Sequence, residues 1–308
     1  MKERKKPLIL ISSCILGNKV RFNGGHTQQD WIVDVLGKYV DFYPICPEMA
    51  MGMGTPREQI HVAYKKDGTP TLVGRSGRDY RNEMNEVKEK YLKELLDMDF
   101  DGIIMQGKSP SCGIERIKHR NQDTGIPDKA EAGVFGQFFM DHLPLTPIFD
   151  SGRLHNWEQR HIFLSQLFAN FTFKQQVKSR ADLQNFHKSY KYFLMGYNQD
   201  KMREMGRLAA NDGDHKAYLG NLLELLSKRI CKKNMVNSFY HILGYLKKDL
   251  ERNEKEFIHQ LIDDYANQKS YENKAEPVIK FLVEKYDIKY LKEQKIFEPY
   301  PRELADIS

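Results

Sequence analysis

Cysteine is scarce in this chain, tryptophan is scarcer, and long apolar runs are missing. Four cysteines are spread over 308 residues, and none stands in a Cys-x-x-Cys pair. No apolar stretch approaches the roughly 20 residues that a helix needs to cross a bilayer, so no transmembrane helix is expected. The start, Met1-Lys2-Glu3-Arg4-Lys5-Lys6-Pro7, is charged, and the apolar residues behind it soon run into Ser12-Ser13-Cys14. That reads as a first strand, with a secretory signal as the weaker alternative. So few cysteines without such a signal argue against a disulfide framework and for reduced thiols in the cytoplasm. There is no internal repeat and no low-complexity tract. What is present is enough for ordinary cores: 40% of the residues are hydrophobic. The length favours two domains over one.

Net charge is missing from one half. Residues 1–150 hold 21 Lys+Arg against 21 Asp+Glu, whereas residues 151–250 hold 17 against 8. A basic excess confined to one region points to a polyanionic partner, although a solvated helical surface gives the same count.

Strand and helix alternate in the first half, the signature of an α/β domain with a mostly parallel, Rossmann-like sheet. Residues 7–13, 40–45 and 102–105 read as buried strands, and Pro144–Phe149 as a last edge strand. Helices are expected over 27–38, 79–98 and 128–142. The second is marked by Tyr80, Met84, Val87, Tyr91, Leu95 and Met98 at helical spacing. Residues 47–78 are rich in Gly and Pro and read as loop, with a small hairpin around Asp67-Gly68. From about Asn156 the texture is all-helical, over 156–180, 182–196, 199–210, 214–246, 250–267 and 274–286. The boundary falls in 150–155, giving domains 1–152 and 153–308.

Taken singly, each cysteine reads as a small buried residue, and Cys231, in a helical pattern beside Lys232 and Lys233, stays in that class. Cys14, Cys46 and Cys112 differ. Each follows a strand, in a polar turn, and the carboxyl ends of parallel strands form the edge where α/β sheets bind ligands. Three converging thiols admit a zinc site completed by a fourth ligand or a water, a thiol nucleophile with a nearby base, or an iron–sulfur cluster with one open iron. Spacing does not choose among them. Glu48, two residues after Cys46, is placed to act as a general base, and Ser109 and Ser111, before Cys112, to orient a water or donate a proton. Arg21 and Arg57 lie in the same set of loops and are candidates for substrate binding, on a phosphate or a base edge.

The motifs Ile11-Ser12-Ser13-Cys14-Ile15-Leu16-Gly17, Val20-Arg21-Phe22-Asn23-Gly24-Gly25, Cys46-Pro47-Glu48 with Pro56-Arg57, and Lys108-Ser109-Pro110-Ser111-Cys112-Gly113 together resemble the TudS thiouracil desulfidase family. The second half resembles the YbgA-like domain through Phe186-His187-Lys188, Lys191-Tyr192-Phe193-Leu194-Met195, Met205-Gly206-Arg207-Leu208, His241-Ile242-Leu243-Gly244-Tyr245, Tyr290-Leu291 and Glu298-Pro299-Tyr300-Pro301. As a whole the chain is similar to fused, RudS-type proteins that remove sulfur from 4-thiouridine in tRNA. The resemblance implies a [4Fe-4S] cluster held by Cys14, Cys46 and Cys112, with one iron free as a Lewis acid for the thiocarbonyl sulfur. It also implies a water directed at the ring carbon by Glu48 and a serine, Ser109 before Ser111. The products would be the oxo pyrimidine and sulfide, with no net redox change. Thiolated tRNA is the expected partner, with Lys188, Lys191 and Arg207 as candidate RNA contacts and Tyr190, Tyr192, Phe193 and Tyr197 as aromatics beside them. A desulfidase of free thiobases or thionucleosides with a helical oligomerisation domain, and a zinc-stabilised nucleic-acid binder without catalysis, are the competing readings.

Overall fold

The computed structural model describes residues 4–64, 68–211, 214–267 and 273–305. They form two compact units, one running to Phe163 and the other starting at Leu164.

The first unit is α/β. Its elements are β1 (Leu8–Ser12), β2 (Asp41–Ile45), α1 (Pro47–Ala50), β3 (Ile60–Tyr64), β4 (Pro70–Gly74), α2 (Arg81–Asp97), β5 (Gly102–Met105), β6 (Ile117–Asn121), β7 (Pro127–Glu131), α3 (Val134–His142) and β8 (Ile148–Asp150). Strands β1, β2, β5 and β8 make a parallel sheet in the order β2-β1-β5-β8. All four residues of β5 are buried, as expected of a parallel strand covered on both faces. Ser12 pairs with Ile45 and Ile11 with Ile104, so the carboxyl ends of β1, β2 and β5 lie level at one edge. Helix α2 buries Met84, Val87, Tyr91 and Leu95, and α3 buries Phe135, Phe138 and Phe139, in one core with Leu10, Ile103 and Met105 of the sheet. Each such side chain contributes about 1.5–3 kcal/mol relative to exposure, which is what fixes the helices against the sheet.

Two sequence expectations need correction here. The helix expected over 27–38 is a short, irregular one, a π-type turn over Trp31–Val35 and a 3-10 turn over Leu36–Lys38. Ile32, Val33 and Val35 are β-branched and Gly37 follows them, a poor composition for a regular helix. The stretch 47–78 carries the expected hairpin, with β3 and β4 paired antiparallel on either side of the expected turn, and the short α1 besides, although Asp67 itself lies outside the described residues. Residues 128–131, expected to be helical, belong to β7, and the helix starts at Val134. Strand β7 pairs antiparallel with β6, and β6 pairs parallel with β3, giving a second sheet in the order β4-β3-β6-β7.

The helices that follow are α4 (Trp157–Gln176), which crosses from the first unit into the second, then α5 (Arg180–Tyr197), α6 (Gln199–Asn211), α7 (His215–Leu226), α8 (Lys232–Leu246), α9 (Arg252–Ala266), α10 (Ala275–Lys285) and α11 (Lys289–Lys292). The single helix expected over 214–246 is broken between Leu226 and Lys232. At the break the Cys231 amide donates to the Gly196 carbonyl of α5 at 3.1 Å, and Asn234 Nδ2 donates to the Tyr197 carbonyl at 2.8 Å. A Cβ on Gly196 would lie 2.8 Å from the Met235 methyl, so a larger residue there would require the Met235 side chain to shift. Cys231 therefore caps a helix start and is exposed, not buried. Tyr190, Phe193 and Tyr197 are core residues of α5, which removes them as aromatic contacts for RNA. Among the described residues no helix is long and apolar enough to cross a membrane.

Candidate active site

The level strand ends deliver the three cysteines to one cavity. Cys14 sits in the 3-10 turn Ser13–Leu16 that leaves β1. Cys46 is the residue before α1, at the end of β2. Cys112 lies in the turn after β5, which begins with Lys108 at a left-handed φ of 59° and is tied by the Gly113 amide donating to the Ser109 carbonyl at 2.8 Å. That turn is clamped from behind by α3: any side chain at Gly136 would collide with the Gly113 carbonyl. The cavity has a volume of about 350 Å3, and the three cysteines line it together with Arg21, Glu48 and Ser109. Cys14 is 9% and Cys112 6% exposed.

Burial pushes the thiols up. For Cys14, the desolvation outweighs the Thr27 hydrogen bond and the Arg21 charge, which both pull the other way. For Cys46 it outweighs the Met49 amide, while the charges of Glu48 and Cys14 add to the rise. Cys112 is raised most strongly, by burial and then by the charge of Cys46. Each thiolate would thus be felt by the next, and a cation among them would reverse the balance. Three soft donors on three separate loops suit an iron–sulfur group, whose iron is held by cysteine thiolates. Among the described residues no three His, Cys, Asp or Glu side chains are gathered closely enough to hold a single ion. The cysteines ring a space rather than meet at a point.

Beside the thiols lies a carboxylate network. Arg57, 4% exposed in its side chain, donates from Nε to Glu48 Oε2 at 2.9 Å and from Nη2 to the same oxygen. Its remaining donors reach the Val20 carbonyl at 2.8 Å and the Gly54 carbonyl at 2.7 Å. The other carboxylate oxygen, Oε1, accepts from the Ser111 hydroxyl at 2.6 Å. Ser111 is wholly buried and 3.1 Å from Ser109 Oγ, which also accepts from the Cys112 amide at 3.1 Å. With the Ser111 proton on Glu48, its oxygen can accept from Ser109. The hydroxyls then run in series from the cavity wall to the carboxylate. Arg21 lines the same cavity with its guanidinium 5.8 Å from the Phe22 ring centroid. Lys188 and Lys191 on α5 and the exposed Arg207 on α6 belong to the second unit.

Two residues outside the sequence argument join the site. Gln106 Oε1 accepts from the Thr27 hydroxyl at 2.7 Å and lies 3.9 Å from Cys14 Sγ, and its amide nitrogen donates to the Gly107 carbonyl at 3.1 Å. Its position directly after β5, on the sheet edge already picked out by Cys112, was the available signal.

The series arrangement has a measurable consequence. Ser109→Ala and Ser111→Ala should each slow turnover, and the double variant should be no slower than the worse single one, because groups acting as one unit are not additive. Single-turnover rates on a double-mutant cycle check this. Two independent losses that multiply would rule out a serial relay.

Residues 9–151 match the 2-thiouracil desulfurase family, and residues 191–301 match the family described as protein of unknown function DUF1722. The uncharacterized protein YbbK of Bacillus subtilis (strain 168) is 31% identical over 111 residues, 34% of this chain and 73% of that protein. The uncharacterized protein YbgA of Escherichia coli (strain K12) is 25% identical over 136 residues, 42% of this chain and 80% of that protein. Among solved structures, the [4Fe-4S]-dependent thiouracil desulfidase TudS is 28% identical, with a TM-score of 0.40 over 48% of this chain and 93% of its own. With that share of YbbK covered at that identity, and the desulfurase match running through the unit that carries the three thiols, the chain belongs to the 2-thiouracil desulfurase family, here joined to a YbgA-like helical domain.

Proposed function

We propose that this protein is a desulfidase that exchanges the thiocarbonyl sulfur of a thiolated pyrimidine for oxygen, with 4-thiouridine in tRNA as its substrate and the cytoplasm as its compartment. The observation that carries this reading is the shared cavity, lined by three thiols, two of them buried, and by a carboxylate–serine network within the same walls. Cys14, Cys46 and Cys112 would hold a [4Fe-4S] cluster, which when bound supplies a Lewis acid for the substrate sulfur. The reaction balances without electrons: water and the thiocarbonyl give the carbonyl and hydrogen sulfide.

The chain's own residues handle the proton. Glu48 takes it from the attacking water. Arg57 fixes the carboxylate by a fork of two donors on one oxygen, so it acts as a positioning residue. Ser111 holds the other oxygen, and Ser109 brings the relay to the cavity, where it can meet a substrate atom. Arg21, which lines the cavity, adds positive charge to its wall. The basic balance of residues 151–250, 17 against 8, supports RNA as the carrier of the thiolated base.

The experiment is anaerobic sulfide release from thiolated tRNA compared with free 4-thiouridine and free thiouracil. Faster release from tRNA is expected. Release from the small compounds alone would instead support a free-thiobase desulfidase whose helical unit serves assembly. Binding of tRNA should also weaken by at least about tenfold between roughly 50 and 200 mM salt, as phosphate contacts require. Salt-independent binding would contradict the basic surface as the source of affinity.

A further inference from the structure

Three tyrosines from three motifs far apart in sequence meet on the helical unit. Tyr192 of α5, Tyr245 of α8 and Tyr290 of α11 have ring centroids 6.5 Å (192 to 245), 6.3 Å (192 to 290) and 5.5 Å (245 to 290) apart. Burial pushes the phenols of Tyr192 and Tyr290 up. Tyr192 is the floor, 2% exposed, while Tyr245 is 47% exposed. Beside Tyr245, the space over Gly244 is open, with nothing within 4 Å of the position a Cβ would take. The Lys188 ammonium lies 5.3 Å from the Tyr290 centroid, and that of Lys191 lies 5.5 Å from the Tyr192 centroid. Gln294 braces the arrangement from below, donating to the Lys188 carbonyl at 2.8 Å.

The chemistry of this group is unlike that of a core cluster. The rings meet edge-on or tilted, and the half-exposed ring of Tyr245 is the surface on offer. Among the described residues Lys188 and Lys191 have no acidic partner, whereas Glu284 and Asp287 are taken up by Lys292 and Glu298 by Lys280. Glu293 is exposed on the same short segment as Tyr290. A flat aromatic face with two uncompensated ammonium groups beside it fits a π-faced, anionic ligand: a base stacks on the ring and the flanking phosphates take the charge.

We propose that the Tyr192–Tyr245–Tyr290 cluster is a platform for an unpaired nucleotide of an RNA partner, with the base on the exposed face of Tyr245 and its phosphates against Lys188 and Lys191. The proposal rests on the reading of tRNA as substrate and adds where on the helical unit single-stranded RNA is held. It separates the two roles by residue: Tyr245 discriminates single strand from duplex, and the lysines serve both.

The test measures binding of the full-length protein, by fluorescence anisotropy at fixed salt, to three probes: unthiolated tRNA transcript, labelled oligouridylate, and a blunt RNA duplex of the same length. Tyr245→Ala should weaken oligouridylate and tRNA binding by about tenfold or more while leaving the duplex unaffected. Tyr245→Phe should bind as the native protein does, since the ring is kept. Lys188→Gln combined with Lys191→Gln should weaken all three. Melting temperatures serve as the folding control, and Tyr245 is exposed enough for truncation to be tolerated. A loss under about twofold for Tyr245→Ala on oligouridylate, or an equal loss on duplex, would overturn the platform. If the native protein releases sulfide from free thiouracil but binds no RNA, the tRNA reading and the platform fall together. If it binds and desulfurises tRNA and Tyr245→Ala binds equally well, the platform alone falls. Tyr245-dependent RNA binding without any sulfide release would keep the platform and remove the proposed reaction.

Discussion

Glu48→Gln should retain its metal content and lose turnover by about 10²–10⁴-fold, the range a positioned general base contributes. The substitution suits the site. Both oxygens of Glu48 accept hydrogen bonds, one from Arg57 and the other from Ser111. A glutamine can keep its oxygen toward Arg57, whose donors cannot reverse, and turn its NH2 toward Ser111, whose hydroxyl can accept. The Ser111 proton would then point toward Ser109 or toward the Cys112 sulfur, 3.7 Å away. Packing and bonding are preserved while basicity is removed, so lost activity reports chemistry and not collapse. Single-turnover sulfide release with iron quantified on the same sample is the measurement. Rates close to those of the native protein would take Glu48 out of the reaction. Arg57→Lys should also slow turnover, by less, because an ammonium keeps the charge but not the two-donor fork. Its defect should appear in kcat with little change in iron content.

How far the sequence reaches is visible in particular residues. Strands β1 and β5 were legible because Leu8–Ile11 and Gly102–Met105 are apolar on both faces, and α2 because its buried residues recur at helical spacing. The three thiols were legible from their common place after strands. Strand β7 was not: all five of its residues are exposed, so no burial period marks it, and only its pairing with β6 makes it a strand. The cleft of the site was equally hidden. Cys-Pro-Glu puts Glu48 beside Cys46, but its bond to Ser111 spans 63 positions, and its bond to Arg57 depends on the loop between them turning back. The aromatics of α5 show the same limit from the other side. Tyr190, Phe193 and Tyr197 fall on one helical stripe, the mark of a core face, whereas the exposed Tyr245 gains neighbours only through tertiary packing of α8 and α11.

Cys14→Ser, Cys46→Ser and Cys112→Ser should each lose most of the iron and acid-labile sulfide, from about four irons per chain in the anaerobically purified protein, and Cys231→Ser should lose none. Cys231 is exposed at the start of α8 in the other unit and lines no part of the cavity. The pH behaviour of the emptied protein adds an independent check. Burial raises the folded-state pKa of all three cavity thiols, so their neutral form is the favoured one. A raised pKa contributes stability that is fully present below the unfolded value, about 8.5 for cysteine, and is lost as pH rises through the folded values. Chelator-treated protein should therefore lose more stability between about pH 8 and pH 10 than the triple serine variant, which has no such thiols to ionise. In the loaded protein the thiolates would already be formed against metal, so the loss should be smaller, and loading itself should release protons and weaken as pH falls. Denaturation midpoints of the empty, loaded and triple-serine proteins at the two pH values measure this. Iron retained by any one of the three single variants, or an empty protein no more alkali-sensitive than the triple variant, would remove that thiol, or the whole buried set, from the ligand shell.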